Sequence, residues 1–244
     1  MPAKIIVVMS PKGGVGKTTT AVNIATAISN LNKKTLLIDA NLETPHVAVY
    51  YGFVGFKYSL EDVLNEKAKI EEAIYTGDNP NFHLLPSRVI KSSQDKSAYK
   101  LININIYLEK LRDKYDFIVI DSKPSYDIEF IKLIKEAKSL IISNPDITSI
   151  IEAKKLKEEL DEAGIKIMGL VVNKVNSRVK EQMTEKEIKE MTGINNIWKI
   201  REDHGVYNAL RQGIPIVLSS QNSIAARDIM NIAKQIITVV PKVI

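Results

Sequence analysis

The sequence contains no cysteine, so disulfides, thiolate zinc sites and cysteine-ligated iron–sulfur clusters are excluded. Long hydrophobic runs are missing too. The apolar stretch nearest the start, Ile5 to Met9, is broken at once by Ser10-Pro11; it is too short for a secretory signal, and no segment approaches the roughly 20 apolar residues that span a bilayer. The expected location is therefore cytoplasmic. The excess of one sign of charge is small: 34 Lys+Arg against 29 Asp+Glu leave a net +5, which permits binding to DNA or anionic lipid and demands neither. Histidine is sparse, and His46 and His204 read as surface or packing residues because neither has a neighbouring ligand pattern. No linker or composition break divides the 244 residues, so one α/β domain over 1–244 is expected.

What the chain does have is Ser10-Pro11-Lys12-Gly13-Gly14-Val15-Gly16-Lys17-Thr18-Thr19, set between the β-branched run Ile5–Met9 and a helix-like stretch to Asn30. Strand, glycine-rich turn and helix in this order form the context of a phosphate-binding loop. Gly13, Gly14 and Gly16 can adopt torsions closed to other residues, so successive N–H groups can converge on one anion at the positive end of the helix. Lys17 would sit on the β- and γ-phosphates, and the Thr18 hydroxyl on a bridging Mg²⁺. The pattern G-x-x-x-x-G-K-[ST] is met from Pro11 to Thr18 except that Pro11 stands at the first glycine. Lys12 is surplus to it.

Further along, Thr35–Asp39 reads as a buried parallel strand, and the βαβ unit it completes brings Asp39 to the carboxyl end of the sheet, near the phosphates. Asp116–Asp121 encloses four consecutive apolar residues, the mark of a strand covered on both faces, and Asp121 at its end is a candidate magnesium ligand. Ile167–Lys174 is another strand with a polar end. The amide of Asn173 could read adenine N6 and N7, or could simply close the turn. Helix starts are expected at Ser59–Leu64 and Ile70–Tyr75, a short strand within Asn81–Ser87, and a polar surface loop over Lys91–Lys100. Thr148–Ala163 is an amphipathic helix with alternating charges, and the apolar face from Ser223 to Val240 suits packing on a sheet.

The segment Lys12–Thr19 resembles the deviant Walker A motif of the ParA/MinD family of ATPases. Asp116–Asp121 resembles that family's Walker B strand, and the likeness runs over essentially the whole chain. The resemblance implies a doubly wound, mostly parallel twisted sheet flanked by helices, of the SIMIBI class of P-loop NTPases. It implies ATP and Mg²⁺ as cofactors, with Gly13 to Thr19 around the phosphates and Thr18, Asp39 and Asp121 around the metal. It also implies a homodimer formed on ATP binding, in which Lys12 reaches the partner's nucleotide. Asn41 stands where the family usually has a second aspartate acting on the attacking water, and slow hydrolysis is expected from that change. Arg201-Glu202-Asp203 resembles the family's base-contacting Pro-Glu-Asp turn, with Arg201 in place of proline; Ser122–Ser125 departs from its usual second switch. The absence of cysteine sets aside the nitrogenase iron protein and the cluster-carrier scaffolds of the same class.

Three functions stay open on these grounds. A MinD-like spatial regulator fits the Ser143-Asn144-Pro145 turn and the lack of extra domains, although the amphipathic membrane tail of MinD proteins is reduced to Pro241–Ile244. A ParA-like partition ATPase binding DNA without sequence preference fits the positive charge. A nucleotide-locked scaffold, waiting on a regulatory partner protein, fits Asn41.

Overall fold

The computed structural model describes residues 2–88, 103–123, 128–132, 134 and 136–239. The Lys91–Lys100 stretch, Pro124 and Ser125 of the second-switch segment, and Pro241–Ile244 lie outside these. Alternation dictates the sheet. In β1 (Lys4–Met9), Ile5, Val7 and Met9 enter one apolar cluster while Ile6 and Val8 enter another, as a strand covered on both faces must do. The same holds for β2 (Thr35–Asp39) and β5 (Phe117–Asp121), both buried along their whole length.

With β3 (Tyr75–Thr76), β4 (Phe82–Leu85), β6 (Lys138–Ser143), β7 (Lys166–Val175) and β8 (Ile197–Arg201), they make an eight-stranded sheet in the order β3-β4-β2-β5-β1-β6-β7-β8. Every pairing is parallel except β3 with β4 at the edge. Register sets Asp39 beside Asp121 at the carboxyl ends of β2 and β5.

One face of the sheet carries α1 (Lys17–Asn30). The short α2 (Val47–Tyr50) begins beyond β2 and sends Val47 into that same layer. The other face starts with α3 (Leu60–Leu64), α4 (Ile104–Leu111), α5 (Ile128–Lys132), α6 (Ile147–Glu162) and α7 (Glu185–Thr192), whose buried side chains join Ile5 and Val7. The chain then returns to the α1 side with α8 (Gly205–Gln212), α9 (Ile216–Ser219) and α10 (Ile224–Val239). The doubly wound expectation is met. Among the described residues no helix is long and apolar enough to cross a membrane.

The expected helix Ile70–Tyr75 is corrected. Only a 3-10 turn forms, Ile70–Ala73, because Ile70 and Ala73 bury at a spacing of three while Tyr75 is drawn into β3. There its hydroxyl accepts from Tyr58 N at 2.9 Å and donates to Tyr58 O at 3.0 Å.

Glu61 of α3 is only 3% exposed, and its two oxygens accept from Arg88 N at 3.1 and 3.2 Å, tying the exit of β4 to α3. Burial pushes its carboxyl up to about 7, against the lowering by backbone N–H groups and the Ser59 hydroxyl. A raised carboxyl binds its proton more tightly in the folded state. Its contribution is thus intact below the ordinary carboxylate range and is lost as pH rises toward 7. Glu61→Gln is therefore expected to match the parent near pH 4 and to exceed it above pH 7 by up to about 3 kcal/mol, read from urea unfolding across that range.

Candidate functional site

The loop between β1 and α1 is shaped by two glycines in the left-handed region, Gly14 at φ 79° and Gly16 at φ 92°. Gly16 is also the cap position of α1 and supplies no side chain to it, and the first turn of that helix carries no acid. Its leading N–H groups and positive end are left for an external anion. Around them is a cavity of about 360 Å³, in the size range of small-ligand sites. The phosphate loop forms its floor; Asn41, Thr44, His46 and Tyr50 flank one side, Asn173 and Lys174 another, and the segment from Ile200 through Leu210 closes it.

At the floor, three groups anticipated from their separate motifs meet. Lys17 Nζ lies 2.6 Å from Asp121 Oδ1, and the Thr18 hydroxyl donates to Asp121 Oδ2 at 2.7 Å. Asp39, fully buried beside them, accepts from Asn41 N at 3.1 Å and Val47 N at 3.0 Å. Burial first, and then the charge of Asp121, push its carboxyl up to about 8, while Lys17 and the two backbone donors pull the other way. Two carboxylates forced together next to a hydroxyl make an oxygen-only donor set short of positive charge. That chemistry fits a hard divalent cation held by one or two carboxylates, with phosphate and water completing the shell.

The family described as AAA domain matches residues 3–163. An uncharacterized ATP-binding protein of Methanocaldococcus jannaschii is 32% identical over 233 residues, 94% of this chain and 86% of its own length. The chain belongs to the ParA/MinD family of P-loop ATPases. Among solved structures, the septum site-determining protein MinD of Pyrococcus horikoshii, complexed with Mg-ADP, superposes with a TM-score of 0.87 at 25% identity, over 97% of each chain. The MinC:MinD cell division protein complex of Aquifex aeolicus gives 0.85 at 26%, over 99% of each.

Against the ParA/MinD pattern, the remaining expected residues divide. Asn173 is buried under the loop, and its amide donates to Val15 O at 2.8 Å; a Cβ on Gly16 would overlap that amide. Lys12 lines the cavity, and its ammonium donates to Thr148 Oγ1 at 3.3 Å, at the start of α6.

Asn41 closes a ring with Thr44: its amide donates to Thr44 O at 2.8 Å and Oγ1 at 3.0 Å and accepts from Thr44 N at 3.3 Å. In this conformation the amide NH₂ holds its own loop, while the residue lines the cavity. Arg201 lines the cavity, while its guanidinium is held by Asp228 through bonds of 2.8 and 2.6 Å. The Glu202 carboxylate accepts from Asn176 at 2.8 Å and so braces the loop after β7.

Lining residues that were not singled out as site residues include Tyr50, Lys174 and Tyr207. Tyr207, 59% exposed, sits one helical turn beyond the Arg201–Asp203 turn. An aromatic at that offset was the one clue available to sequence reasoning.

Proposed function

We propose that the protein is a Mg²⁺-dependent ATPase that works as an ATP-dimerised switch for spatial positioning of the MinD kind, with slow hydrolysis of its own. The observation that carries this reading is the Lys17–Asp121–Thr18 constellation at the mouth of a preformed phosphate loop. In the free protein Lys17 and Asp121 neutralise each other. With Mg–ATP bound, Lys17 would serve the β- and γ-phosphate oxygens, and Asp121, Thr18 and Asp39 would hold the cation. The cation's chemistry is to neutralise charge developing on the phosphoryl oxygens. Asp39 also holds the 40–47 loop through two backbone N–H groups, so a change at the γ-phosphate can pass from Asp39 to Asn41 and Val47 and to the surface beyond.

The Lys12 ammonium is held by Thr148 rather than by Asp121, which leaves it to be offered to a second copy. The named MinC partner of the Aquifex protein supports a regulatory partner here, recruited by the ATP-bound dimer. Sedimentation with ADP and with a non-hydrolysable ATP analogue, each alone, with DNA and with anionic vesicles, tests the reading. A dimer seen only with the triphosphate analogue, recruited to vesicles and not to DNA, is expected. Salt-sensitive recruitment to DNA would transfer the protein to the partition class, and an unchanged monomer would remove the switch.

The rate has its own test. An aspartate at position 41 loses the donation to Thr44 O, keeps an acceptor for Thr44 N, and gains a base. Single-turnover hydrolysis by Asn41→Asp is expected to rise about 10–10²-fold. An equal or lower rate would mean that this position does not act on the water.

A further inference from the structure

Two adjacent residues at the end of β7 hold two consecutive carbonyls of the phosphate loop. Lys174 Nζ donates to Gly14 O at 2.9 Å and the Asn173 amide to Val15 O at 2.8 Å, across 160 and 158 residues of chain. Lys174 does so from the left-handed region, at φ 58°, a conformation that a long L side chain adopts only when its surroundings over-determine it.

Each peptide unit is planar and trans, so its C=O and N–H point to opposite sides. Fixing the carbonyls of Gly14 and Val15 toward β7 therefore fixes the N–H groups of Val15 and Gly16 on the side away from it. Loop glycines alone could not do this, because the freedom that lets them adopt left-handed torsions also lets them leave.

We propose that Lys174 and Asn173 form a clasp that holds the phosphate loop in its anion-receiving shape before any nucleotide arrives. This assigns Lys174 as a positioning residue and gives Asn173 a task besides any contact with the base. The proposal rests on the nucleotide reading of the cavity. The Lys174→Met variant loses the ammonium and keeps most of the stem, and Lys174→Gly removes the whole side chain while relieving the left-handed backbone, so together they separate the clasp from the fold.

The test uses Lys174→Met, Lys174→Gly and Lys174→Arg in the full chain. Amide hydrogen exchange of Gly13–Thr18 in the nucleotide-free protein is expected to accelerate about tenfold in the Met and Gly variants and to return to within about threefold of the parent in the Arg variant. Calorimetric affinities for pyrophosphate and for ADP are expected to fall together by about tenfold, with the ATP-to-GTP preference unchanged.

Loss of affinity with parent-like exchange would make Lys174 a direct phosphate contact and overturn the clasp. A drop in melting temperature with unchanged affinity ratios and exchange would overturn it as well. If the parent binds neither pyrophosphate nor ADP, the nucleotide reading falls, while the exchange comparison still decides the clasp.

Discussion

Replacing Lys12 with alanine is expected to abolish ATP-dependent dimerisation and to lower single-turnover hydrolysis by about 10³-fold, the scale of a cation supplied in trans to a phosphoryl transfer. The expectation turns on what Lys12 does not do for its own fold. Its ammonium makes one half-exposed contact, 3.3 Å from Thr148 Oγ1. Thr148 keeps a shorter bond of its own, donating to Asp146 Oδ1 at 2.6 Å, and Asp146 caps α6 by accepting from Ser149 N at 2.9 Å. Deleting Lys12 leaves that cap intact, and surface contacts of this kind contribute at most about 1 kcal/mol.

Melting temperature should therefore stay near the parent's, and ADP affinity should stay within about threefold. A loss confined to the triphosphate state, in both association and rate, is the signature of a side chain acting in the neighbouring molecule. Sedimentation velocity and rapid-quench kinetics read the two halves separately. A Lys12→Ala protein that associates and hydrolyses like the parent would end the reading of a shared site.

The parts of the site that were legible in the sequence are those whose chemistry is local. Three glycines between a β-branched strand and a helix specify an anion loop because torsional freedom and helix polarity act over a few bonds. Asp39 and Asp121 announce themselves at strand ends because parallel register then sets them side by side. The less legible parts depend on partners far along the chain. Arg201 has a sequence position that fits a base contact, but Asp228, 27 residues on, holds its guanidinium elsewhere. Lys174 looks like one of many surface lysines until the fold brings Gly14 to it. Asn41 matched a switch position, yet the hydroxyl and carbonyl of Thr44 decide what its amide does in the free state. Ile70–Tyr75 shows the same limit in the fold: helical spacing over one turn could not outweigh the edge pairing of Tyr75 with Leu84.

Asp121→Ala is expected to remove nucleotide hydrolysis altogether and, unlike Lys12→Ala, to destabilise the protein. The Lys17 side chain is 6% exposed and that of Asp121 1%, so deletion leaves a buried ammonium without its closest counter-ion. Breaking such a pair costs about 3–5 kcal/mol. Asp39 limits the damage: it lies beside Asp121 in register, and losing that neighbouring negative charge, which together with burial holds its carboxyl up, lets it ionise more readily next to Lys17. The lower end, about 3 kcal/mol in urea unfolding, is therefore expected. Adding Lys17→Met to Asp121→Ala should recover most of that stability, since no buried charge then lacks its partner, while hydrolysis stays absent. Recovered folding without recovered turnover would assign the pair its two separate tasks, neutralising one another within the fold and serving the phosphates and cation during turnover. Were the double variant as unstable as Asp121→Ala alone, the buried ammonium could not be the source of the loss, and Asp121 would have to stabilise β5 through its bond to Thr18 instead.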